Sequence, residues 1–487
     1  MASVTPTAST NEIFGTWLAG SHWTADNLTY SFPNGPEAYG YVGRTPVEGL
    51  EADQIACVEH AMAEISSFTQ LTFTRIAEDG QQEGVLRYAK DVSATGGYAY
   101  LPTGFASGGD AFFGRLTTSP TVGNEANLYF MHEIGHTLGL EHGHESLSFA
   151  RSAWNSQEFT LMTYTDYVGD TNTEEYESGP VDWAQSYQQL DIAALQYLYG
   201  ANYATTGEIW SGRTVYGFDP ETGEMSVNGI GLGQPAGNRI FRTIWDGHGR
   251  DTYDLSAYDT GVHVNLRPGA WSTFATAQLA DLDRFSTTPD HLARGNVANA
   301  LLVDSDRRAL IENAIGGGGD DILLGNAAAN RLVGREGSDR LIGGSGNDAL
   351  LGGAMQDRLL GGWGNDVLKG GAGSDRLIGG AGRDQLSGGA GRDTFVFERV
   401  ADGVKANGVD RIMDFTSGED RIQILTDGAA PFSLNFDGRL LEDGPSIAIR
   451  TFDSGLRAQV DFDGDGQADL AFVVVGVHDL VEHDFLF

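Results

Sequence analysis

Within the first 205 residues, apolar positions alternate between two spacings. In "LYFMHEIGHTLGL" Phe130, Ile134 and Leu138 fall at i, i+4 and i+8, forming one ridge of a helix with His132 and His136 on the other face. "VEGLEADQIACVEHAMAEIS" has the same helical spacing, and "LDIAALQYLYG" predicts a further helix at 190–200. Between them "LTYSF", "LTFTRI" and "GYAYLP" are short runs rich in aromatic and β-branched residues, which predict strands. An α+β domain is expected here. From 206 to about 312 short strand-like runs such as "RTVYGF" and "VHVNLRP" take over.

At Ile315 the pattern changes again, because glycine recurs every nine residues from Gly316 to Gly388. In that frame the sixth position reads Asp321, Asn330, Asp339, Asp348, Asp357, Asp366, Asp375, Asp384 and Asp393, and the eighth is Leu until Phe395. Such G-G-x-G-x-D-x-U-x nonapeptides predict a parallel β-roll, two repeats to a coil. Glycines make the turns, one large apolar side chain per repeat points inward, and the aspartate points at a cation. The expected ligands of several structural Ca²⁺ ions are the aspartates (all but Asn330) with the turn positions Gly344, Gly346, Gly362, Gly364, Gly371, Gly373, Gly380 and Gly382. The repeats "GNAAANRLV" and "GGAMQDRLL" lack some turn glycines, which weakens the case for calcium there. A disordered Gly-rich linker would not phase-lock Leu and Asp. Beyond Phe397, "VDRIMDFTSGEDRIQIL" and "AQVDFDGDGQADLAFVVVG" predict strands capping the roll, with "DFDGDG" open to reading as a turn or a metal loop.

Charge agrees with cations as partners. The 487 residues carry 67 acidic and 30 basic side chains, a formal net charge of −37, which argues against nucleic acid or anionic lipid. Length predicts more than one domain. The single cysteine, Cys57, reads as a small core hydrophobe and forms no intramolecular disulfide, so a secreted form needs another source of stability, such as bound metal. "MASVTPTAST" has neither the basic nor the apolar region of a Sec-type signal, and no run approaches the roughly 20 apolar residues of a membrane span.

The chemistry gathers in "MHEIGHTLGLEHGH". His132 and His136, one helical turn apart, reach a single ion, and Glu133 reaches a water on it. Gly139 can adopt the left-handed conformation that ends a helix, so the chain turns back and offers His142 as third ligand. Three nitrogens leave a zinc ion one open position, as a catalytic site requires. His144 has no spacing rule behind it and reads as a rim or surface residue.

The motif H-E-x-x-H-x-x-G-x-x-H followed by nonapeptides resembles the serralysin family of secreted bacterial metalloproteases. "TIWDGHGRDTYD", "IENAIGGGGDD" and the terminal "DFLF" are similar to segments of that family, in the same order. The resemblance implies an α+β metzincin-like catalytic domain (1–240, with 1 to about 15 a possible short propeptide) and an all-β parallel β-roll domain (241–487). It implies one catalytic Zn²⁺, a methionine turn at Met162, and Tyr164 as both a ligand of the resting zinc and a donor to the tetrahedral intermediate. It further implies that "GYAYLP" is an edge strand pairing with an extended peptide substrate, and that Gly212, Thr214, Asp246 and Asp251 bind calcium, although His248 stands where the family has glycine. A monomer, exported unfolded by a type I exporter that reads the C-terminal residues, is implied as well. Two departures border the specificity pocket: "GHES" follows His142 where the family usually has proline, and the stretch from His144 to Met162 is short. A calcium-dependent adhesin with a vestigial zinc site would be expected to have lost Glu133, and a repeat-bearing lipase would need a G-x-S-x-G motif, which is absent.

Overall fold

The computed structural model describes residues 3–6, 18–39, 47–78, 83–145, 147–150, 152–170, 176–204, 211–286, 291–398, 409–425, 432–442 and 444–486. Most of the stretch read as a propeptide lies outside these residues; Val4–Pro6 pairs antiparallel with Ser21–Trp23. The chain folds as two compact units. The first comprises Met1–Thr214, Phe218–Gly249 and Pro268–Ala309, and the second Val215–Gly217, Arg250–Arg267 and Leu310–Phe487. Residues 241–249 and 268–309, grouped on sequence with the β-roll, sit in the first unit.

In the first unit, helix α1 (Ala52–Phe68) opens with a capping box in which Gln54 Oε1 accepts the Glu51 N–H at 2.9 Å. It buries Val58, Ala61, Ile65 and Phe68. Helix α2 (Glu125–Thr137) starts at Asn124, whose side chain accepts the Asn127 N–H, and buries the Phe130, Ile134 and Leu138 ridge completely. A third long helix, Gln189–Tyr199, closes the unit where the apolar spacing predicted it. The predicted strands appear as Asn27–Ser31, Thr72–Arg75 and Gly97–Ala99, joined in one sheet by Leu86–Asp91 and Asp110–Phe113. Four of these run parallel; Gly97–Ala99 pairs antiparallel with Asp110–Phe113 at the sheet's edge. Phe113 stacks on Phe130 at 4.0 Å between ring centres, tying sheet to α2.

The second unit is the β-roll. Strands 18 residues apart pair parallel and in register: Arg331, Ala349, Val367 and Gln385 on one face, and Arg340, Arg358, Arg376 and Thr394 on the other. Each 18-residue coil is therefore two nonapeptides. The eighth-position leucines from Leu323 to Leu386, and then Phe395, are all fully buried along its axis. Side-chain burial of this kind contributes about 1.5–3 kcal/mol per residue, so the roll's core is one leucine deep and gains stability coil by coil. Strands Asp410–Ile412, Arg421–Leu425, Ser446–Phe452, Gly455–Asp461 and Leu470–Val475 cap it, with Phe397 stacked on Phe472. Among the described residues no helix is long and apolar enough to cross a membrane.

Candidate metal centre

The end of α2 builds the site. Gly139 takes φ +103°, and the Gly139 and Leu140 N–H groups return to the His136 and Gly135 carbonyls, a Schellman ending. Other late carbonyls of α2 are also satisfied, since Trp23 Nε1 donates to Thr137 O and the Tyr199 hydroxyl to Leu138 O. The reversal carries His142 back toward His132 and His136, and the three Nε2 atoms lie 2.9–3.1 Å apart. His136 Nδ1 donates to Leu140 O and His132 Nδ1 to Leu161 O, both at 2.7 Å. With those protons placed, the Nε2 lone pairs of both rings face the same point.

This arrangement fits a zinc ion. Nitrogens about 2.0–2.1 Å from zinc at tetrahedral angles lie roughly 3.3–3.4 Å apart, within a few tenths of an ångström of the observed spacing. Two of the imidazoles are also kept neutral, as ligands must be. Burial, then the neighbouring histidines, hold His132 well below the usual range, and burial followed by His142 lowers His136 to about 4.

Around the triad stand the other residues singled out on sequence. The Tyr164 hydroxyl is 3.2 Å from His142 Nε2. Met162 is fully buried beneath α2, its sulfur so close to Gly135 that an added Cβ there would stand 3.0 Å away. Glu133 is buried at 5 % exposure, and burial pushes its carboxyl up to about 8. His144 remains outside the triad but packs on it, its ring 4.9 Å from His142 and 4.7 Å from Tyr164.

Sequence reasoning missed the supports. Asp191 accepts the Leu161 N–H at 2.8 Å and the Thr160 hydroxyl at 2.7 Å, fixing the turn whose carbonyl orients His132. An acid in the first turn of a helix marks a cap, but nothing in the spacing names Leu161 as its partner. Tyr187 donates its hydroxyl to Met131 O. Gly97, in the edge strand, leaves room for Glu133: a Cβ there would stand 2.5 Å from Glu133 Cγ and 2.7 Å from Oε1.

Comparison with known proteins agrees with this geometry. The family profile "Peptidase M10 serralysin C terminal" matches residues 202–280 and 293–487. The chain belongs to the serralysin family. A second profile, "Metallo-peptidase family M12B Reprolysin-like", matches residues 52–143, which include the three histidines. Metalloprotease AprA of Pseudomonas entomophila is 32% identical over 445 residues, covering 85% of this chain and 76% of that protein. Metallopeptidase AprA of Pseudomonas marginalis is 32% identical over 475 residues, covering 92% and 84%. Serralysin of Proteus mirabilis is 31% identical over 339 residues, covering 63% and 60%. As a serralysin-family protein the chain is a zinc metalloendopeptidase, with His132, His136 and His142 as its zinc-binding triad.

The β-roll turns carry features that suit calcium. Oδ1 of Asp339, Asp348, Asp357, Asp366, Asp375, Asp384 and Asp393 accepts a backbone N–H from one coil earlier, at 2.8–2.9 Å. Oδ2 of all seven is buried without a hydrogen-bond partner. An orphaned buried oxygen is costly unless a cation meets it. Asp321 differs: its two oxygens accept the Val262 and Gly317 N–H groups. The glycines at 344, 346, 362, 364, 371, 373, 380 and 382 all have φ between +99° and +154°, a conformation that L side chains rarely adopt. In "GNAAANRLV", Asn326 and Asn330 instead fill the turn with their own amides, donating to Leu266, Ile311 and Glu312 carbonyls. Gly212, Thr214 and Asp246 lie in the first unit and Asp251 in the second. Within the cap, Asp461, Asp463 and Asp469 bring carboxylate oxygens within 4.8 Å of one another, a second group able to hold a metal ion.

Proposed function

We propose that this metalloendopeptidase is a secreted monomer that cleaves internal bonds of extracellular proteins with broad side-chain specificity, and that calcium folds its roll outside the cell. The observation that carries the reading is the antiparallel edge strand Gly97–Ala99, set against Glu133. An extended peptide added to that edge is held by main-chain hydrogen bonds, which do not read side chains.

Bound zinc supplies Lewis acidity, polarising the scissile carbonyl and making water acidic enough to attack near neutral pH. Glu133 takes the proton from the attacking water and later delivers it to the leaving amine. Its raised proton affinity suits the second half of that task, and the charge of a nearby cation draws it back down for the first. The Tyr164 hydroxyl donates to the oxyanion as it forms. Leu140 and Leu161 carbonyls keep His136 and His132 in one tautomer throughout.

Calcium at the roll turns, through Asp339 to Asp393 and the turn carbonyls, removes carboxylate repulsion in a chain of net charge −37. At cytoplasmic calcium levels the roll then stays unfolded, the state a type I exporter passes; roughly millimolar calcium outside shifts it to the folded form. Casein digestion tests the enzymatic reading. The wild type cleaves and stops when zinc is chelated, and Glu133→Ala retains one zinc yet loses nearly all cleavage. Wild-type turnover in Glu133→Ala would remove the general base from the mechanism.

A further inference from the structure

His144 is the fourth histidine of the motif, and it stands outside the zinc-binding triad. Its backbone is nevertheless tied to the segment that carries Tyr164. The Gly143 N–H donates to Met162 O at 3.3 Å, joining the turn Gly143–Glu145 to the methionine turn two residues before Tyr164. A proline at 143, usual in the family, has no N–H to give to that carbonyl. Glycine also suits the packing, since a Cβ at 143 would stand 2.6 Å from the Phe149 ring. The His144 ring then lies against two groups of the metal centre at once: 4.9 Å from His142 with 28° between the ring planes, and 4.7 Å from Tyr164 with 42°. Tyr164 has a second aromatic neighbour in Tyr176, met edge-on at 5.5 Å, and Tyr176 in turn meets the buried Trp183 edge-on at 5.1 Å. Held among these rings, the Tyr164 hydroxyl reaches to 3.2 Å from His142 Nε2.

A side chain that meets the metal at rest and donates to the oxyanion later must change place in every turnover, so it is held at the metal by a small margin. Contacts worth a few-fold therefore decide where it sits. Tyr176 is braced by the core through Trp183, whereas His144 comes from a partly exposed turn whose sequence departs from the family. We propose that His144 is a positioning residue, whose ring, packed on Tyr164 and His142, holds the Tyr164 hydroxyl at the metal centre. This rests on the reading of Tyr164 as zinc ligand and oxyanion donor. The contact acts through the face of the ring rather than through charge or ligation, so phenylalanine at 144 supplies it and alanine does not. An aromatic pair at this separation shifts such a balance about two- to tenfold.

The test is a double-mutant cycle on the full zinc- and calcium-loaded chain, combining His144→Ala or His144→Phe with Tyr164→Phe and measuring kcat, KM and zinc content. His144→Ala keeps one zinc and lowers kcat about two- to tenfold with KM little changed, and His144→Phe restores kcat. In the Tyr164→Phe background His144→Ala has no further effect, because the hydroxyl it positions is gone. A second readout is the copper(II)-substituted protein, in which a bound phenolate gives a charge-transfer band. The band is present in the wild type, absent from Tyr164→Phe, weakened in His144→Ala and restored in His144→Phe. A wild type without the band would remove the reading of Tyr164 as a ligand, and this proposal with it. A band of wild-type strength in His144→Ala would overturn the proposal alone. So would an equal loss of kcat from His144→Ala in both backgrounds, which would make His144 a general support of the fold, and so would a His144→Phe variant no better than His144→Ala.

Discussion

Gly97→Ala tests whether the edge strand sets the position of Glu133. A methyl at residue 97 would stand 2.5 Å from Glu133 Cγ and 2.7 Å from Oε1, where carbon atoms in contact need about 3.5–4.0 Å. Gly97 is not among the residues with positive φ, so alanine suits the backbone and the overlap must be relieved by the carboxylate, which moves by about 1 Å. A displacement of that size at a reacting group costs on the order of 10²-fold in rate, or about 2.7 kcal/mol of transition-state stabilisation. Glu133 is not one of the zinc ligands, so the triad should keep its metal. The assay measures kcat and KM on a fluorogenic peptide alongside zinc content and Tm. The expected outcome is kcat down about a hundredfold with zinc stoichiometry and Tm near wild type. Wild-type kcat would show that Glu133 works from a position this strand does not control, and zinc loss would show that the damage spread to the ligands.

Tyr164→Phe, which removes the hydroxyl 3.2 Å from His142 Nε2, should lower kcat about tenfold or more while KM changes little, as steady-state kinetics would show. Calcium affinity should fall on acidification. Burial lifts Asp339, Asp357 and Asp366 to about 7 and Asp348, Asp384 and Asp393 to about 6, against 3.8 for a free carboxyl. Without calcium the folded roll therefore binds protons more tightly than the unfolded chain, and the stability these groups contribute is present below about pH 4 and lost as pH rises through 6–7. Calcium must displace those protons, so the calcium concentration for half-maximal folding, read by circular dichroism, should rise as pH drops from 7 to 5; a flat profile would contradict the raised carboxyls. Met355→Gly should stabilise the calcium-loaded chain by about 0.5–1 kcal/mol in urea unfolding. Met355 holds φ +76° where every other repeat but the one with Ala328 has glycine; the strain is roughly 1–2 kcal/mol, partly offset by glycine's unfolded-state entropy.

Local pattern was enough for much of this protein. The nine-residue glycine period dictates stacked coils because any other register would expose the eighth-position leucines, and those leucines are all buried. The i, i+4 pair His132 and His136, with Gly139 free to reverse the chain, confines the third ligand to the next few residues, and His142 lies 2.9 Å from His132. These features were legible because each depends on backbone geometry within one 18-residue coil or less. Tertiary structure decided what depends on distant segments meeting. Asp191 supports Leu161 across 30 residues of sequence, and Gly97 yields space to Glu133 36 positions later. No periodicity encodes such meetings, because they follow from how helices and sheet pack once their apolar faces are buried.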